Sequence, residues 1–416
     1  MAAVVESQVA GLELEKVRKK VEVAFETDRQ FYNTIKKRPV EVISNRQMRV
    51  PLKLRTGGSF SYFNPDGGDL GRGGGPTYDK AVLNSVFMVE AIEYTKLTQW
   101  STTDARKAVI MAVRDLTAGA LEELQRQIDA QLQGTGNGVI GTVTTDTPAG
   151  GSNVITCTTD GFGVRLMRYG QTVQIYDATL ATLRGSGDIS FYDVENKTIN
   201  ITPQIAGVIA TDLIVVNGIS SPTSLPALFG IKYHHSNAST GTWLGFARST
   251  TPEVRSNRVN AASAFLSLPL PRLAINKIGN RVGKDNRYKP KAWAHPAQQQ
   301  SYEDIGQLIS SIDKKPNEKS LDLYFEKYQL AGAPLETHFN CDNTRIDFIV
   351  EELWGRGEIL PIGFYKSDGR SIFEIRGASG GVAAADIFYM VNGFQTFVAN
   401  PAGTAYIDNL AVPAGY

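Results

Sequence analysis

Only two cysteines, Cys157 and Cys341, occur in 416 residues. They lie far apart, which excludes a disulfide framework and the close ligand spacing of a zinc site. Histidine is scarce as well, four in all. His234 and His235 are adjacent, so on a strand they would point to opposite faces, a poor start for a metal site. His295 precedes Pro296 at an expected strand end, and His338 stands alone. No 18-residue apolar run is present, so no spanning helix is expected. The first residues, "MAAVVESQVAGLELEKVRKK", lack the basic start and apolar stretch of a secretory signal. These absences point to a chain folded in a reducing cytoplasm, with no metal, no cofactor and no membrane partner.

Enzyme signatures are missing too. Neither G-x-S-x-G nor H-E-x-x-H is present. Asp347, Glu351 and Glu352 in "DFIVEEL" could supply a carboxylate pair for acid–base work. No nucleophile or partner base accompanies them, so a salt-bridged or solvated strand end is the better reading, and the chain is not expected to be an enzyme. Net charge is nearly absent at +1, but it is unevenly spread. Residues 1–55 carry +5 and residues 248–291 carry +8, which leaves −12 for the rest. Complementary patches of this kind suit docking between subunits. Aromatic residues are sparse in both basic segments, which gives base-stacking recognition little support.

What the chain has in quantity is glycine. "NPDGGDLGRGGGP" (64–76) holds six glycines, Gly67, Gly68, Gly71, Gly73, Gly74 and Gly75. It fits neither phosphate-binding pattern: no Gly-Lys-Ser/Thr follows, and Pro76 interrupts the only G-x-G start. Its flanks are strands. "MRVPLKLR" (48–55) alternates, with Met48, Val50, Leu52 and Leu54 on one face and Arg49, Pro51, Lys53 and Arg55 on the other. That period of two predicts a strand with one apolar face, and Pro51 places it at an edge. Val82, Val86 and Met88 are read as the return leg. A two-stranded arm with a flexible tip buries too little to stand alone, so it is expected to lie on another copy of the chain.

Residues 103–133 carry apolar side chains at helical spacing, among them Leu116, Ala120, Leu124, Ile128 and Leu132. Ser101 and Asp104 resemble a capping box, and Gly134 stands where a left-handed terminal glycine is expected. Residues 141–220 change texture to short Thr-, Val- and Ile-rich strands. They predict a small inserted barrel or sandwich, autonomous and projecting, with "DVENKT" (193–198) as a hairpin turn. Helical segments around "PRLAINKIGNRVG" and "QQQSYEDIGQLISSI" flank a strand, "PKAWAHP", and strands dominate from 320 onward.

The order of these parts resembles the major capsid protein of tailed bacteriophages, the Hong Kong 97 fold. The resemblance implies an α+β chain with an N-arm (1–42), a long β-hairpin E-loop (43–97) and a P-domain with its spine helix (98–140). The inserted all-β domain (141–220), a region mainly of A-domain (221–345) and closing strands of both domains (346–416) would follow. Segments 269–305 and 328–337 carry the A-domain likeness. It further implies a structural subunit that assembles through hexamers and pentamers into an icosahedral head around double-stranded DNA. Scaffolding, portal and decoration proteins are its implied partners. DNA would be touched non-specifically at the inner surface, assembly would occur in the host bacterial cytoplasm, and the final location would be the virion. Arg49, Lys53, Arg55 and the six tip glycines would then line a subunit interface. The glycines let the arm bend differently in each shell environment. Some relatives join an arm lysine to a neighbour's asparagine; Lys53 or Lys80 with Asn392 or Asn400 are the corresponding residues here. An encapsulin-type nanocompartment, or a phage tail or decoration protein, are the alternative readings. The basic segment and the basic arm face are expected to pair mainly with acids of other subunits.

Overall fold

The computed structural model describes residues 30–44, 46–60, 62, 73–95, 105–145, 154–283, 289–312, 329–376 and 382–415, with side chains of the long helix from residue 116 onward. Its centre is a five-stranded sheet built around one long strand, Val382–Val398. Strand Val86–Thr95 runs antiparallel along it from Ala385 to Phe394. Trp354–Phe364 borders its C-terminal half and Ile372–Arg376 its N-terminal half. Lys36–Lys37 adds a short parallel edge. Val86 and Met88, expected on the return leg of the arm, therefore belong to this sheet instead. The chain leaves the arm at Ser85, whose amide bonds back to Arg46.

The long helix, Ala105–Gln131, lies across this sheet. At about 1.5 Å per residue it is roughly 40 Å long. Ala120, Leu124, Ile128 and Leu132 are buried against Tyr94, Phe388, Met390 and Phe394. Leu124, Ile128 and Leu132 contribute about 1.5–3 kcal/mol each on full burial. The capping candidates Ser101 and Asp104 lie outside the described residues. At the other end, Gly134 donates to the Gln131 carbonyl, but it is Gly136 (φ +93°) and Gly138 (φ +76°) that turn left-handed. The reversal thus falls in "GTGNG", after the expected glycine.

Phe31 ties the entry of the chain to this core. It is fully buried, with Trp293 and Trp354 edge-on to it at 5.4 and 5.2 Å. One residue on, the Tyr32 amide donates to Asp129 of the long helix at 2.7 Å. The other oxygen of Asp129 meets His338 Nε2 at 2.9 Å, with both side chains buried.

The inserted region is a six-stranded barrel. Its strands run Val139–Thr142, Leu213–Val216, Thr172–Tyr176, Leu183–Asp193, Thr198–Thr202 and Val154–Thr156 in hydrogen-bonded order. A bridge between Val143 and Cys157 joins the last strand to the first, flanked by Thr144 N–H to Thr156 O at 2.8 Å and Thr158 N–H to Thr142 O at 2.9 Å. The interior is almost wholly β-branched, including Ile140, Ile155, Ile175, Ile189, Ile199 and Ile214. Alternate positions of every strand supply it, as closure requires. Burial pushes the Cys157 thiol up to about 12, which leaves it unreactive. The expected turn at 193–198 is present: Asp193 accepts from the Glu195 and Asn196 amides. The barrel has its own core, yet it is docked rather than free. Asn343 accepts from the Gly161 amide at 2.8 Å and donates to Thr159 O at 2.9 Å, and Arg165 donates to the Phe339 and Cys341 carbonyls.

A second six-stranded sheet follows the order Asn257–Asn260, Ala405–Asp408, Ile346–Ile349, Lys291–Ala294, Ala333–Thr337, Gln329–Leu330. The helices Pro269–Val282 and Pro296–Ile312 accompany it. Strand Lys291–Ala294 ends at His295, whose ring accepts from the Ala297 amide at 3.1 Å and so caps the following helix.

Candidate functional site

The arm is the part of the chain whose shape least serves its own core. Strands Gln47–Arg55 and Thr77–Asn84 pair from Gln47↔Asn84 to Arg55↔Thr77. Glu41–Val42 adds a third strand beside Met48 and Arg49 only. Pro51 falls beyond it, where its missing N–H breaks no ladder bond. The expected alternation holds: Met48 and Val50 are buried, while Pro51, Lys53 and Arg55 are exposed.

What covers the apolar face corrects the sequence reading. Met48, Val50, Ala81 and Leu83 pack on Tyr233, Trp243, Leu244, Phe246 and Val254 of the same chain, with Leu52 and Leu54 at the margin. The Val82 amide donates to Leu244 O at 2.9 Å. The base of the arm therefore has its own seat and needs no second copy.

The histidines build that seat. They do not lie on a strand; His234 ends the short helix Ile231–His234, and both are fully buried. Trp243 Nε1 donates to His234 Nδ1 at 3.1 Å, so His234 Nε2 carries the proton toward Thr396 Oγ1 at 3.2 Å. His235 Nδ1 meets Asp347 Oδ1 at 2.9 Å, and Arg345 holds both oxygens of the same carboxylate. The pair thus pins the seat to both sheets. Glu351, expected near Asp347, turns instead to Lys291 at 2.9 Å. Among the described residues no group of three or more His, Cys, Asp or Glu side chains could hold a metal ion.

Burial pushes His234, His235 and His295 below the ordinary imidazole value, His295 to about 3. The unfolded chain therefore takes up protons first. Their contribution to stability is intact above pH 6.5 and is lost as the pH falls from there towards 3. The melting temperature of the subunit should drop across that window. His295→Asn, which keeps a capping acceptor but does not titrate, should flatten the drop in thermal melts at pH 7, 6, 5 and 4. A slope identical to the unaltered chain would refute this.

The charges are also arranged differently from expectation. Arg55 pairs within the chain, its Nε 2.9 Å from Glu253 Oε1. Six described cations of the basic segment are likewise spent internally: Arg258 on Asp408, Lys291 on Glu351, Arg248 on the Tyr233 and Ser236 carbonyls, Arg255 on the Arg248 carbonyl, Lys277 on the Arg258 carbonyl, and Arg281 on the Arg255 and Pro252 carbonyls. Lys53 and Lys80 are exposed, with Lys53 5.8 Å from the Tyr78 ring centre. Asn392 is fully buried on the central sheet, out of reach of an arm from outside, whereas Asn400 is half-buried before the turn Pro401–Gly403.

Beyond Arg55 the described residues of the arm are exposed. Phe60 and Tyr62 are 88% and 93% exposed and stack edge-on at 5.4 Å. Gly57 (φ +70°) would place a Cβ 2.4 Å from Gly75, and the Gly58 amide donates to Gly74 O at 2.7 Å. Gly73, Gly74 and Gly75 are thus where two backbones meet, while Gly67, Gly68 and Gly71 lie outside the described residues. The outer face of the central sheet is bare as well. It exposes Phe87, Val89 and Tyr365 and carries an open groove of about 450 Å³ whose walls include Glu93, Tyr365, Phe373, Glu374, Arg376 and Tyr389, whereas the exposed Phe364 and Ile372 pair with Met390 and Phe388 on the helix-facing side. Uncovered apolar surface of this kind marks an interface.

Sequence reasoning found the arm but missed its seat. Trp243, Leu244, Phe246 and Glu253 sit in turns and two-residue strands, where no periodicity marks a buried position.

No family model matches the chain, and no curated protein matches it. Solved structures do. The capsid asymmetric unit of Cyanophage A-1(L) superposes with a TM-score of 0.53 at 12% identity, covering 94% of this chain and 96% of that one. The capsid of a native GTA particle (TM-score 0.46, 10% identity, 98% and 100% covered) and the holo-SrpI encapsulin complex from Synechococcus elongatus (TM-score 0.44, 8% identity, 96% and 95% covered) also match. The first of these shows the fold: over nearly its whole length the chain has the architecture of a phage capsid protein.

Proposed function

We propose that this chain is the major capsid subunit of a tailed bacteriophage and builds the icosahedral shell that encloses double-stranded DNA. The observation that carries the reading is the pairing of that fold with an arm seated at its base and bare at its tip. Aromatic side chains at 88% and 93% exposure are costly to leave in water once a partner surface exists. The outer face of the central sheet of a neighbouring copy offers such a surface, with Tyr365, Phe373 and Tyr389 along an open groove rimmed by charges of both signs, Glu93, Glu374 and Arg376. The role is structural rather than catalytic. Hexamers and pentamers would be the assembly units. Scaffolding and portal proteins, with or without decoration proteins, would complete the head inside the host bacterial cytoplasm, with non-specific DNA contact on the inner surface of the finished virion.

Electron microscopy of the purified full chain should show closed shells or rings of five and six. Particles from producing cells should hold nuclease-protected double-stranded DNA. Shells that hold a protein cargo and no DNA would favour the nanocompartment reading. A subunit that stays monomeric at all concentrations would overturn both.

A further inference from the structure

Between the long helix and the central sheet lies a polar cluster in an otherwise apolar layer. The register sets Glu90 opposite Met390 and Met88 opposite Asn392. Glu90 and Asn392 are therefore diagonal neighbours on the helix-facing side, among Met88, Met390 and Phe394, a spacing that the long Glu90 side chain can span. Asn392 is fully buried, and neither its Nδ2 nor its Oδ1 has a hydrogen-bond partner among the described residues. The helix brings Glu123 and Arg126 to the same place. Arg126 is buried, donates to Glu123, and leaves its Nε unpartnered. Glu123 also accepts from Gln127 at 2.8 Å, and Gln127 accepts from Gln171 of the barrel at 3.2 Å. A polar path thus runs from sheet to helix to barrel.

We propose that Glu90, Asn392, Glu123 and Arg126 form a proton-operated latch that seats the long helix on the central sheet, closed when Glu90 carries a proton and loosened when it does not. In the structure the Asn392 amide is unbonded; a neutral Glu90 carboxyl turned towards it would donate its O–H to Asn392 Oδ1 and accept from Asn392 Nδ2, satisfying both orphaned atoms at once. An ionised one has no proton to give and faces the Glu123 carboxylate across a poorly hydrated gap. Among the described residues the charged groups facing Glu90 are Glu123 and Arg126 from the helix; from the adjoining strand it meets Met390 and Asn392, and on its own strand Met88 and Ile92. Burial, and then the Glu123 charge, push the Glu90 carboxyl up to about 7, with Arg126 pulling the other way. A raised value in the folded chain means that the stabilisation is complete below the unfolded value and is lost as the pH rises through about 7. This sign is opposite to that of the histidines. The latch rests on the fold alone and stands or falls independently of the shell reading.

The test is hydrogen exchange of helix amides 116–131 in the full-chain subunit at pH 5.5 and 8.5, corrected for the intrinsic rate. Protection should fall about tenfold or more between the two, because a tenfold difference in proton affinity between the closed and open states changes the opening equilibrium tenfold. Glu90→Gln, whose amide mimics the neutral acid, should hold the acid-side protection at both pH values. Glu123→Gln, at a half-exposed helix position, should shrink the fall without disturbing the fold. If Glu90→Gln misfolds, Glu123→Gln still decides. An unchanged fall in either folded variant, no fall in the unaltered chain, or a carbon-13 titration midpoint for Glu90 in the ordinary carboxylate range would overturn the latch.

Discussion

Replacing residues 56–76 by a two-residue Asn-Gly turn will leave a folded subunit that no longer closes a shell. The hairpin can be shortened there because Arg55 and Thr77 are paired partners, and a two-residue turn is the natural closure of such a pair. Nothing in the seat is lost: Met48, Val50, Ala81 and Leu83 stay on Trp243 and Phe246. What is removed is the bare tip with Phe60, Tyr62 and the meeting glycines. Circular dichroism and melting temperature should therefore match the full chain. Sedimentation and microscopy should change from shells to free subunits or open fragments, an all-or-none effect. Normal shells from the shortened chain would sink the idea that the arm tip joins subunits.

The largest effect of a single substitution is expected at Phe31. Its ring is edge-on to Trp293 of the second sheet and to Trp354 of the central sheet, so it fills the joint between them. Phe31→Ala removes a fully buried aromatic side chain and leaves a cavity, which costs about 3–5 kcal/mol. The edge-to-face pairs add about 0.5–1.5 kcal/mol each to what is lost. Phe31→Leu should cost much less, because most of the volume returns. The loss should also free the Tyr32 amide from Asp129, so limited proteolysis should cut near residue 32 in the Ala variant before it cuts elsewhere. Denaturant unfolding that places Phe31→Ala within about 1 kcal/mol of the unaltered chain, close to the effect of an ordinary surface change, would show that the joint is held by other contacts.

The arm was legible because one strand with one covered face writes itself as alternation, and "MRVPLKLR" alternates without a break. The barrel was legible in texture, since short β-branched runs with turn residues between them have few other uses. Its closure was not: Val143 and Cys157 meet through one bridge that no local pattern announces. The seat was invisible for a related reason. Between the short helix Ile231–His234 and the 3-10 turn Pro252–Val254 lie only turns and two-residue strands, whose burial is set by what lies above them. The histidines misled because adjacency was read on a strand, whereas a four-residue helix lets His234 and His235 reach two different sheets. The charge pattern misled in another way. A segment of +8 looks like a surface awaiting a partner, but several of its arginines bond to backbone carbonyls of their own chain, which carry no formal charge and so never show in a tally.

The barrel enters the chain at Val139–Thr142 and leaves it at Leu213–Val216, and these two strands are hydrogen-bonded neighbours, with Val139 opposite Val215. Its two ends therefore stand about 5 Å apart. A module whose ends meet can be spliced into a gene, or out of it, with little loop-closure penalty for the host fold. The long helix before it and the arm seat after it would keep their places, and contacts such as those of Arg165, Asn343 and Gln171 would need replacing. That junction is where one domain can be exchanged for another while the architecture around it is kept.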